Sequence, residues 1–124
     1  MKTAIIIIAD PKSATEEATA RVFNALAMAE EGKRQGDQVE VTFIGTGTRW
    51  PAELAQLGHP ANALYESVRD VVKGVSCGCA AVFGATEAAE ACGVPLIKEN
   101  PVHGTPGLAS IRRYFVEGWN TIVF

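Results

Sequence analysis

Residues Thr3 to Ala9 read Thr-Ala-Ile-Ile-Ile-Ile-Ala, a continuous run of small and β-branched apolar side chains. Alternation of apolar and polar residues would mark a strand with one wet face. A run without alternation marks a strand buried on both faces, as in a parallel sheet with helices packed on either side. Directly after it, Ser13-Ala14-Thr15-Glu16 has the spacing of a capping box. That box opens a helical pattern through Val22, Leu26 and Ala29, which fades between Lys33 and Gly36.

The same order repeats along the chain. Val39, Val41 and Phe43 alternate with Glu40 and Thr42, so the second strand is expected to have a wet face and to lie near an edge. Gly45-Thr46-Gly47-Thr48 interrupts it, and Pro51 and Pro60 each suit the first turn of a short helix, with Gly58 between them. Leu64, Val68 and Val72 keep helical spacing up to Gly74. A third strand is expected over Val75–Cys79, then a small-residue helix over Ala80–Cys92. A fourth strand follows at Pro95-Leu96-Ile97, and a helix from Thr105-Pro106 through Phe115. The fifth strand covers Thr121–Phe124. The expectation is one α/β domain spanning residues 1–124: a flavodoxin-like three-layer sandwich with a five-stranded, mainly parallel sheet in the order 2-1-3-4-5.

Composition narrows the function classes. A net charge of -3 argues against a nucleic-acid polyanion as the main partner. Lys2 precedes the first apolar run, but the run is far shorter than the roughly 20 residues of a membrane span and ends at Asp10-Pro11 instead of a cleavage site. Three cysteines, Cys77, Cys79 and Cys92, are odd in number and clustered, unlike a secreted disulfide framework. The expected location is cytoplasmic, with no membrane partner.

The expected seat of chemistry is Cys77-Gly78-Cys79, where the third strand should give way to a helix. Two thiols two residues apart point to the same side of an extended segment. A thiol at the following helix N-terminus also meets a field that favours thiolate. The carboxyl ends of parallel strands share one rim, which gathers Asp10 and Lys12 after strand one and Arg49 and Trp50 after strand two. Asn100 and His103 follow strand four. In the order 2-1-3-4-5, Asp10 and the cysteine pair flank one crevice.

Each rival reading meets a physical objection. Zinc ligand pairs commonly have two to four residues between them, and only one separates Cys77 from Cys79. Cys92 would lie nearly 20 Å away along one helix, at about 1.5 Å per residue, so no metal is expected. A Cys77–Cys79 disulfide in an extended segment spans about 6.6 Å between Cα atoms, the upper edge of disulfide geometry. A flavin phosphate could use Ser13 and Thr15, but Asp10 would repel it and no glycine opens that loop, so no cofactor is expected.

The apolar first strand, the long first helix, Gly74-Val75-Ser76-Cys77-Gly78-Cys79, the Gly93-Val94-Pro95 turn and Gly118-Trp119 before the last strand stand in a familiar order. In that order the chain resembles the DsrE/DsrF-like family, which includes sulfur-relay subunits of the TusD type. The resemblance implies a five-stranded α/β subunit assembled as a homotrimer or homohexamer. It also implies a persulfide-carrying cysteine at the end of the third strand, here Cys77 or Cys79, with sulfur donor and acceptor proteins as partners. The expected function is a cysteine-based sulfur carrier of sulfurtransferase type. The alternative is a non-catalytic oligomeric module with inert thiols and a rim pocket for a small ligand; a flavin-binding electron carrier stands behind both.

Overall fold

The isoleucine run forms β1 (Lys2–Ile7), with Ala4 through Ile7 fully buried, in a computed structural model that describes residues 1–124. β1 pairs with β2 (Gln38–Phe43) on one side and with β5 (Asn120–Val123) on the other. β2 continues to β3 (Val72–Ser76), and β3 to β4 (Leu96–Ile97). Every pairing is parallel, and the chain is an α/β domain with one five-stranded sheet.

The strand order is 4-3-2-1-5, not 2-1-3-4-5. Successive crossovers step the same way from β1 to β4, so their helices must share one face of the sheet. These are α1 (Glu16–Arg34), α2 (Trp50–Leu54), α3 (Asn62–Val68), α4 (Cys77–Val82) and α5 (Thr86–Ala91). A core of 20 buried residues joins them to the sheet, among them Ile5, Ile7, Val22, Leu26, Phe43, Trp50, Tyr65, Val75 and Ala80. The chain then crosses to the other face through α6 (Ile111–Val116) and adds β5 beside β1. Only four buried residues, Ala4, Ile6, Tyr114 and Trp119, form the core there.

β2 is therefore an interior strand. Its alternating Glu40 and Thr42 face a polar layer under α6 instead of water: Thr42 Oγ1 and Tyr114 Oη lie 2.8 Å apart, and Tyr114 Oη donates to Glu40 at 2.8 Å. Other boundaries shift for local reasons. Thr15, not Ser13, caps α1, accepting from Ala18 N at 3.1 Å, while Ser13 closes a 3₁₀ turn over Pro11–Ser13. The expected helix over Ala80–Cys92 starts earlier, at Cys77, and is split around Gly84, whose φ of +69° breaks α-helical geometry. The last helix begins at Ile111 with Ser110 as N-cap, leaving Thr105-Pro106 in a loop.

Candidate functional site

β3 ends at Ser76, so Cys77 and Cys79 both belong to the first turn of α4. This corrects the extended geometry expected for them. Two residues along a helix is a rotation of about 200°, so the two thiols leave opposite flanks and cannot meet unless the turn unwinds. All three cysteines are free thiols. Cys77 is 5% exposed, one turn before the fully buried Ala80, whereas Cys79 is half-buried. Cys79 shares its flank with Val82 and Phe83, three and four residues on. Val82 is exposed, so that flank is open to solvent.

The start of α4 is fastened by the loop between β4 and α6. Ser76 occupies the N-cap position but makes no capping bond; its Oγ accepts from Ala109 N at 2.9 Å. Gly78 N donates to Gly107 O at 2.8 Å. The contact is close: a Cβ on Gly78 would force Leu108 Cδ2 to shift and sit 3.2 Å from the Gly107 oxygen. The same loop closes on itself through Asn100 and Leu108, which exchange two backbone bonds of 2.8 Å.

A second group of rim residues converges on the other side of α4. Arg49 Nη1 donates to Asp10 Oδ1 at 3.0 Å, its Nε donates to Phe83 O at 3.2 Å, and its guanidinium lies 5.6 Å from the Phe83 ring centroid. Phe83 is the C-cap residue of α4, four positions after Cys79. Asp10 Oδ1 also accepts from Lys12 N at 2.9 Å, and Trp50 Nε1 donates to Ala9 O at 2.7 Å. These bonds tie the ends of β1 and β2 together. The aromatic body of Trp50 is only 2% exposed and belongs to the core.

No family model, curated protein or solved structure matches this chain.

The rim residues expected to cluster divide into two groups. Asp10, Arg49 and Trp50 come together through the bonds above. The Lys12 side chain is exposed on the first turn, and Asn100 and His103 are exposed in the loop after β4. His103 lines a hollow of about 310 Å³ with Lys98 and residues 101, 102 and 104–107. Asp10 and the cysteines do not flank one crevice, because β2 separates β1 from β3. The order reversal falls instead between β1 and β5, where Ile8 N and Ala9 N both donate to Phe124 O, at 2.8 and 3.3 Å. Backbone fills that position. No three His, Cys, Asp or Glu side chains are grouped so as to hold a metal ion.

Phe83 was not legible as a site residue. Its one signal is its place four residues after Cys79, which matters only once both are known to be helical.

Proposed function

We propose that the protein is a cytoplasmic carrier of sulfane sulfur, as the resemblance to the DsrE/DsrF-like family implies, with Cys79 as the carrying residue. The observation that supports this is the half-buried Cys79 thiol in the first turn of α4, on a flank shared with exposed Val82, while Cys77 is enclosed. The Cys79 thiolate attacks the outer sulfur of a donor persulfide. The donor S–S bond breaks, the donor thiolate leaves with the electron pair, and Cys79 holds the persulfide; no net oxidation occurs. An acceptor thiolate then takes the outer sulfur in the same way. Arg49, held against Phe83 at the far end of α4, adds positive charge to this end of the sheet, tempered by its pairing with Asp10. Cys77, enclosed and on the other flank, has a packing role.

Mass spectrometry after exposure to a low-molecular-weight persulfide tests this reading. One added sulfur atom on Cys79, retained in Cys77→Ser and lost in Cys79→Ser, is the expected result. Equal uptake by Cys79→Ser and wild type would overturn it. Native thiols that label only after denaturation would favour the inert-thiol binding module.

The proposal extends to assembly as a homotrimer or homohexamer. Trp50 and Trp119 do not support it, because both complete the monomer core. Its support is the apolar surface of α6 and β5, where Phe115 and Val116 are 66% and 64% exposed and Val123 is 56% exposed. Light scattering decides it: a single-chain mass of 13.1 kDa, unchanged with concentration, refutes assembly. No helix is long and apolar enough to cross a membrane.

A further inference from the structure

The second face of the sheet is covered by one six-residue helix, α6, seated on an apolar cluster of four residues. A helix of that length has no stability of its own in water. What surrounds it is ionic. Arg113 Nη2 donates to Glu40 Oε2 at 2.9 Å, and its Nη1 to Glu117 Oε2 at 2.8 Å. Arg113 Nε lies 3.1 Å from Glu99 Oε2, without the alignment of a hydrogen bond. Lys73 Nζ donates to Glu99 Oε2 at 2.6 Å and lies 3.8 Å from Glu40 Oε2. Glu99 Oε1 also accepts from Ser110 N at 3.1 Å, just before the helix begins.

These groups come from several elements around the helix, while β5, which packs against it, carries no titratable residue. β2 supplies Glu40, β3 supplies Lys73, and the segment after β4 supplies Glu99. α6 and its end supply Arg113, Tyr114 and Glu117. From β1, Lys2 Nζ donates to Glu117 O at 2.9 Å and lies 5.0 Å from the Trp119 ring centroid. Glu40 and Glu99 stand between two cations, Arg113 and Lys73. With both carboxyls neutral, the cations are left facing each other, and Arg113 keeps only Glu117.

We infer that residues 98–119 form an ionic strap that leaves the sheet in acid while the rest of the domain stays folded. The large core under α1 to α5 rests on 20 buried apolar residues, and the ion pairs on that face, Lys33–Asp70 and Arg49–Asp10, are single pairs with no carboxylate shared between two cations. Burial alone would raise the Glu99 pKa, but hydrogen bonds from Lys73 and Ser110 N and the charges of Lys73 and Arg113 outweigh it, and the carboxyl is held below its ordinary value. A carboxylate held low stabilises the docked strap at neutral pH and loses that contribution as pH falls through its folded-state value. Release therefore belongs below the usual glutamate range of about 4.3.

Hydrogen exchange of the full chain at about pH 7 and about pH 3.5, expressed as protection against intrinsic rates, tests the strap. Protection across residues 111–117 should fall at least about tenfold in acid while that across 22–29 of α1 holds. Glu99→Gln, which keeps an acceptor for Ser110 N, should produce the same selective loss at neutral pH. A parallel loss in both segments would mean global unfolding and overturn the proposal. Unchanged protection of 111–117 in acid would overturn it too, as would wild-type protection in Glu99→Gln at neutral pH.

Discussion

Two buried tyrosines show how differently the same side chain can be held. Tyr65 is fully buried, yet its hydroxyl has no partner, and burial pushes its pKa up to about 12. Tyr114 is equally enclosed, but its hydroxyl bonds to Glu40 and meets Thr42. Removing an unpartnered buried hydroxyl costs little, whereas removing one with two partners costs about 1–3 kcal/mol. Tyr65→Phe should therefore be neutral or stabilising in urea denaturation, and Tyr114→Phe destabilising by that amount. The raised Tyr65 pKa favours the folded state while the phenol is protonated. That contribution is complete below the ordinary tyrosine value of about 10 and is lost as pH rises through about 12. Melting temperature between those pH values should consequently fall less steeply in Tyr65→Phe than in wild type. Gly78 sets a third test at this scale. Its Cβ would displace Leu108 and crowd the Gly107 oxygen, so Gly78→Ala should cost about 1–3 kcal/mol by overpacking. An unaltered denaturation midpoint would show that the loop after β4 yields freely.

Among the elements, α1 and α6 carry opposite kinds of evidence for how they are held. α1 is long, capped by Thr15, acidic in its first turn and basic in its last, and buries Val22, Ala25, Leu26 and Ala29 along one stripe. Leu26→Ala should cost about 2–5 kcal/mol, since Leu26 sits fully buried in the large core. Ile111→Ala, at the margin of the four-residue cluster, should cost less than half as much in the same urea titration. The contrast explains what could be read in advance. β1 and α1 each announce themselves, one by an unbroken β-branched run and the other by helical periodicity. β2 misleads because alternation of Glu40 and Thr42 reads as exposure to water, when ion pairs and a tyrosine hydroxyl cover that face. Strand order was illegible too: β1 takes β5 in place of β3 as its second neighbour, a pairing of Thr3 with Asn120 that no local pattern signals. At the candidate site, the location of the cysteines at the end of β3 was legible, but their orientation was not. Val-Ser-Cys-Gly-Cys has small residues that fit either a strand end or a first helical turn, and the Gly78–Gly107 contact that accompanies the helix comes from a distant loop.

For the whole molecule, the two edges of the sheet differ. β4 is two residues long, preceded by Pro95 and followed by Lys98, which blunts it against further pairing. β5 has no charged residue or proline and exposes Ile122 and Val123. Val123→Lys should leave unfolding free energy within about 0.5 kcal/mol of wild type, the usual effect of a surface substitution. If β5 lies in the proposed oligomer interface, the same change should lower the mass seen by light scattering; an unchanged oligomer would place the interface elsewhere. The position of β5 also bears on how the chain is made. Thr3 at the start of β1 pairs with Asn120 in β5, so one side of the most apolar strand waits until β5, more than a hundred residues on, has been synthesised. Until then, a nascent chain on the ribosome carries β1 with an open edge and with Ala4 and Ile6 uncovered by Tyr114 and Trp119. Translation at about 5–20 residues per second leaves that surface exposed for several seconds, ample time for a chaperone that recognises extended apolar segments to engage it.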